Sequence, residues 1–97
     1  MLFKSFILVA VASVLPVQAD YFKQFYYGDC TGTVNDYHTS AGCYNQAGAS
    51  VQLSFPGCEV DFYSGKNCQG SVVLDTSATA LCAEWGSITG ESFKITC

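Results

Sequence analysis

Phe25-Tyr26-Tyr27-Gly28-Asp29-Cys30-Thr31-Gly32-Thr33 returns, with one gap, as Phe62-Tyr63-Ser64-Gly65-Lys66-Asn67-Cys68-Gln69-Gly70-Ser71. The cysteines keep step with it: Cys30, Cys43 and Cys58 are 13 and 15 residues apart, and Cys68, Cys82 and Cys97 are 14 and 15 apart. Recurrence of an aromatic pair, a Cys-x-Gly element and the same spacing reads as duplication of one supersecondary unit. The copies span about residues 20–57 and 58–97.

Inside each copy, apolar and polar residues alternate with the period of half-buried strands, as in Val51-Gln52-Leu53-Ser54-Phe55, Val60-Asp61-Phe62-Tyr63 and Phe93-Lys94-Ile95-Thr96. Gly28-Asp29, Pro56-Gly57, Gly65-Lys66-Asn67 and Gly86 separate them with residues suited to tight turns or positive φ. Residues 75–84 are the best helical stretch, but their Ser and Thr content and the single apolar anchor Leu81 argue against one. The pattern predicts an all-β domain of about eight strands, four per copy, in a compact sandwich.

Upstream, Lys4 precedes the apolar run from Phe6 to Leu15, and Val17-Gln18-Ala19 puts small residues where signal peptidase cuts. Residues 1–19 therefore read as a cleaved secretory signal, since the run ends at Pro16, short of the roughly 20 apolar residues that span a bilayer. Residues 20–97 are long enough for one small core only. All six cysteines lie in this segment, the composition of an oxidised extracellular domain. It carries three lysines, no arginine and eight carboxylates, a formal charge of −5. Such a surface is a poor partner for nucleic acid or anionic lipid, and it argues against stable membrane insertion and against killing by a cationic mechanism. A monomer is expected.

Catalytic patterns are scarce. His38 is the only histidine and reads as a solvated loop residue, and neither Gly-x-Ser-x-Gly nor His-Glu-x-x-His occurs. Glu59 and Asp61 share one face of a strand, the arrangement of a glycosidase pair but also of any solvated acidic face. Cysteines two to four apart, as zinc or thioredoxin-like sites need, are absent, and so is an Asn-x-Ser/Thr sequon. The chain reads as a non-enzyme. Tyr21, Phe22, Phe25, Tyr26 and Tyr27 cluster after the signal; alternation buries about half and leaves tyrosines for contact with a protein or glycan. Tyr21, Tyr26, Tyr27 and the lone tryptophan Trp85 are the candidate contact residues, with Trp85 equally suited to plugging a sandwich. Six cysteines allow fifteen pairings, and spacing alone does not choose.

Ser50-Val51-Gln52-Leu53, Gly57-Cys58-Glu59-Val60-Asp61-Phe62-Tyr63 and Cys68-Gln69-Gly70 together resemble the junction between two Greek keys in βγ-crystallins. The cysteine content is more similar to the secreted, disulfide-rich branch that includes yeast killer toxins and small proteins of filamentous fungi. The resemblance implies two Greek-key motifs forming a small disulfide-stapled β-sandwich, with one strand of each motif exchanged into the partner sheet. It also implies antiparallel first and last strands in the second motif, so that Cys58 faces Cys97. The remaining pairs are then Cys30–Cys43 and Cys68–Cys82, each closing a loop of about 14 residues for roughly 3 kcal/mol. Asn35-Asp36-Tyr37-His38-Thr39-Ser40 is similar to the calcium-binding pattern of microbial members, with Asn35, Asp36, Thr39 and Ser40 as oxygen donors. The same residues also make an ordinary Asx or Ser/Thr turn. The second copy has Leu74 and Ala78 at two matching positions, which weakens a site that draws on both motifs. No cofactor is required, and calcium is the one candidate ligand. The resulting expectation is a secreted, non-enzymatic toxin on competitors or virulence effector on a host, with an extracellular calcium-binding structural or stress protein as the alternative.

Overall fold

The computed structural model describes residues 20–97; the signal-peptide reading of residues 1–19 lies outside them. Eight strands run in order: β1 (Tyr21–Phe25), β2 (Val34–His38), β3 (Cys43–Asn45), β4 (Ser50–Ser54), β5 (Glu59–Tyr63), β6 (Val72–Ser77), β7 (Leu81–Glu84) and β8 (Ser92–Thr96). A 3-10 turn, Lys66–Cys68, comes after β5, and a single-turn helix α1 (Trp85–Ile88) comes after β7. The stretch 75–84 is thus two strands, with Ala80 turning between them at φ 51°.

Two four-stranded antiparallel sheets pack face to face, in the orders β2-β1-β4-β7 and β3-β8-β5-β6. The first three-strand block is β2-β1-β4, and its counterpart is β6-β5-β8. The third strand of each copy crosses to complete the other copy's sheet: β7 pairs with β4, and β3 pairs with β8. The fold is an all-β, disulfide-stapled sandwich whose two copies are related by a pseudo-twofold. Even the irregularities repeat, since the β1/β2 ladder slips between Gln24 and Phe25 and the β5/β6 ladder between Phe62 and Tyr63.

Alternation decides which side chains enter the core. Phe22, Val51, Leu53, Ala83, Val60, Phe62, Phe93 and Ile95 come from the facing sides of both sheets and pack with Phe55 and Trp85. Trp85 is 2% exposed and lies edge-on to Phe62, with ring centroids 5.4 Å apart. Its candidate role as a contact residue is therefore corrected: α1 turns the indole between the sheets, where burying so large an apolar ring contributes most.

Two of the expected cystines are corrected as well. The structure joins Cys30 to Cys82 and Cys43 to Cys68, not Cys30 to Cys43 or Cys68 to Cys82, and it joins Cys58 to Cys97. Strand exchange is the reason. Cys82 pairs across the ladder with outward-facing Gln52 of the first sheet, and Cys43 with outward-facing Lys94 of the second. The third-strand cysteine of each copy is thereby carried to the hairpin tip of the other copy. A bridge within one copy would have to cross a sandwich about 10 Å thick, beyond the Cα separation a disulfide permits.

Candidate binding surfaces

Both hairpin tips are built by the same devices. Cys30 and Cys68 adopt left-handed backbone, φ 60° and 56°, and Gly32 and Gly70 come next at φ 93° and 91°. A Cβ on Gly32 would collide with the Tyr27 ring and one on Gly70 with Ser64 Oγ, so the Cys-x-Gly element closes a turn only glycine fits. Of the expected turn residues, Gly57 and Asn67 take positive φ, whereas Gly28, Gly65 and Gly86 do not. A buried serine then clamps each tip. Ser50 Oγ accepts from Cys30 N (2.9 Å) and donates to Tyr27 O, while Ser92 Oγ accepts from Cys68 N (2.8 Å) and donates to Gly65 O. The sequence reading missed these serines, although their matched places in the repeat mark them.

The first tip presents Tyr26 and Tyr27, 62% and 58% exposed, in an edge-to-face pair 5.1 Å between centroids. Tyr26 N donates to Thr33 O and Tyr27 N to Thr31 O, which holds the pair on the closed hairpin. Tyr21 is half-buried on the outer side of the first sheet, where Lys23 Nζ lies 5.6 Å from its ring centroid and 5.9 Å from that of exposed Tyr37. The tyrosines thus form two separate patches, one at the tip and one on the sheet.

The candidate calcium donors are spread out. Asn35 and Asp36 are neighbours in β2 and point to opposite sides of the sheet. The Asp36 carboxylate accepts from His38 Nε2 at 2.9 Å and Gln24 Nε2 at 3.3 Å. Thr39 and Ser40 lie just beyond the strand, and Tyr44 OH donates to Ser40 O (2.8 Å). Among the described residues no three His, Cys, Asp or Glu side chains are grouped as metal ligands. His38, read as a loop residue, ends β2 and packs its ring 5.2 Å from Phe22 and 4.7 Å from Tyr44. It is solvated, as expected, with 44% of its side chain exposed, but it stands at the end of a strand rather than in a loop.

Glu59 and Asp61 do share a face, the outer side of the second sheet, where Asp61 stands directly between Asp75 of β6 and Lys94 of β8. Burial raises the Asp61 pKa, its hydrogen bond with Asp75 and the charges of Asp75 and Glu59 add to the rise, and Lys94 opposes it. A carboxyl whose folded pKa is raised stabilises the fold fully at pH below its unfolded value, and that contribution is lost as pH rises through the folded value. Asp61→Asn is therefore expected to raise Tm by about 3 °C at pH 7, the scale of one relieved cross-strand repulsion, and by less at pH 3. Thermal unfolding at both pH values checks this, and an equal shift at both would contradict it.

A cleft of about 500 Å³ opens between the first hairpin tip, β6, β7 and α1, lined by Gly28, Asp29, Leu74, Leu81, Glu84 and Ile88 among others. Nothing in the strand pattern pointed to it, because its walls come from three distant segments.

The class these features define is a small, three-disulfide, double-Greek-key β-sandwich. No protein-family model matches the chain, and no curated protein does. Among solved structures it is similar to the solution structure of MiAMP1, a plant antimicrobial protein, at 19% identity and a TM-score of 0.60, over 79% of this chain and 99% of that one. At that identity the likeness is one of fold.

Proposed function

We propose that this chain is a secreted, non-enzymatic antimicrobial toxin or effector that acts by binding a protein or glycan on a competitor or host cell. The observation that carries this reading is the exposed Tyr26/Tyr27 pair on a hairpin tip held by the Cys30–Cys82 bridge and the Ser50 clamp. Exposed tyrosines on a rigid support make good contact residues because little conformational entropy is lost on docking. The three disulfides support an extracellular site of action. Sharing a fold with a protein described as antimicrobial favours a toxin within this class. The acidic surface favours a specific target over general attack on anionic membranes.

Growth dose-response of yeast and filamentous fungi to the oxidised protein, with reduced and alkylated protein beside it, tests the reading. Inhibition by the oxidised form alone is expected. The double variant Tyr26→Ser/Tyr27→Ser should lose about tenfold or more in potency, on the scale of hot-spot truncation, while keeping a native Tm. Activity that survives full reduction, or undiminished potency in the double variant, would refute binding through this tip.

A further inference from the structure

The two copies serve as controls for each other on what the fold itself requires. Where the second hairpin tip meets the exchanged strand β3, a reciprocal amide pair closes the junction: Asn67 N donates to Asn45 Oδ1 (2.7 Å), and Asn45 Nδ2 donates to Asn67 Oδ1 (3.2 Å). The pseudo-twofold carries Asn45 onto Glu84, because Asn45 is paired with Ser92 and Glu84 with Ser50. It carries Asn67, the residue before Cys68, onto Asp29, the residue before Cys30. Two amides that satisfy one another are thus replaced by two carboxylates, which when ionised repel.

The same half also departs in length. Residues 46–49 suffice to join β3 to β4, whereas 85–91 join β7 to β8 and include α1. The added chain supplies Ser87 and Ile88 as one wall of the cleft. Half-buried Leu74, Leu81 and Ile88 and buried Ala83 make an apolar floor, and exposed Asp29, Glu84 and Ser87 stand at the rim. Ser87 Oγ donates to Glu84 Oε1 (3.1 Å), and Glu84 Oε2 lies 3.2 Å from where a Gly28 Cβ would be, so glycine leaves that carboxylate its place. None of the lysines among the described residues lines the cleft: Lys23 lies beside Tyr21 and Tyr37, Lys94 is paired across the ladder with Asp61, and Lys66 is in the other tip.

An apolar floor under a rim whose only charged groups are carboxylates matches one kind of side chain, an aliphatic stem ending in a cation. We propose that the cleft receives an arginine or lysine of a protein partner, the stem lying on Leu74, Leu81 and Ile88 and the charge between Asp29 and Glu84. The proposal goes beyond the antimicrobial reading and does not depend on it.

Titration of the 15N-labelled, oxidised protein with the blocked tripeptide acetyl-Leu-Arg-Leu-amide tests it, with acetyl-Leu-Gln-Leu-amide as the uncharged control. Saturable NMR shifts are expected at the amides of Gly28, Asp29, Cys82, Glu84 and Ser87, with a Kd of about 1 mM. Binding should weaken by about tenfold or more for the glutamine peptide, and likewise for the Asp29→Asn/Glu84→Asn variant, whose dispersed spectrum reports its fold independently. Equal shifts with both peptides, shifts confined to other surfaces, or no saturation up to about 10 mM would overturn the proposal. Because binding and not growth is read, its failure would leave the antimicrobial reading standing.

Discussion

Paired substitution of Cys30 and Cys82 by alanine should lower the free energy of unfolding by about 4 kcal/mol, since the bridge closes a loop spanning 52 residues. The whole stability of a domain this small is of the same order. The variant should therefore be largely unfolded at 37 °C, with denaturation in guanidinium giving the magnitude. The effect has a second component, because the bridge also ties the tip carrying Tyr26 and Tyr27 to the exchanged strand β7. Peptide mapping of the oxidised protein should recover Cys30 joined to Cys82 and Cys43 joined to Cys68. Recovery of Cys30–Cys43, or a loss below about 1 kcal/mol in the variant, would contradict the exchanged-strand arrangement.

Gln24→Leu should cost about 3 kcal/mol even though leucine is apolar and of similar size. Gln24 is wholly buried, and its amide joins four segments of chain. Its Oε1 accepts from Ala47 N (2.7 Å) and Trp85 Nε1 (3.1 Å), and its Nε2 donates to Asn45 O (2.9 Å) and Asp36 Oδ2 (3.3 Å). Leucine would leave the Ala47 amide, the indole N–H and the Asn45 carbonyl without their partner in a low-dielectric interior. The penalty for leaving such groups unpaired exceeds the gain from one more apolar side chain. Guanidinium unfolding followed by Trp85 fluorescence measures the loss. A variant within about 1 kcal/mol of wild type would show that these groups find other partners.

Gln24 also shows how far one-dimensional pattern reaches. Its parity matches that of Phe22, so alternation alone assigns it to the core side of β1, but nothing local reveals that Asn45, Ala47 and Trp85 supply its partners. The serines behave the same way. Ser50 and Ser92 are legible as repeated positions, whereas their hydrogen bonds to the tips arise only when β4 and β8 lie beside the hairpins. For the tyrosines, alternation foretold that some would be exposed, and the turn geometry around Gly32 determines that Tyr26 and Tyr27 stand out together while Tyr21 lies along the sheet beside Lys23.

The duplicated all-β plan, the strands near Val51, Val60 and Phe93 and the turns between them were readable from residues alone, because strand period and turn chemistry are properties of near neighbours in the chain. The partners of Cys30 and Cys43 were not, nor was the burial of Trp85, nor the cleft between Asp29 and Glu84. Each depends on β3 and β7 crossing to the opposite sheet, which brings together residues as far apart as Cys30 and Cys82. The family resemblance, taken with the symmetry of the copies, implied bridges within each copy. Packing two amphipathic sheets face to face favours the exchanged arrangement, which gives each three-strand block a fourth hydrogen-bonded neighbour and carries each third-strand cysteine to the other copy's hairpin.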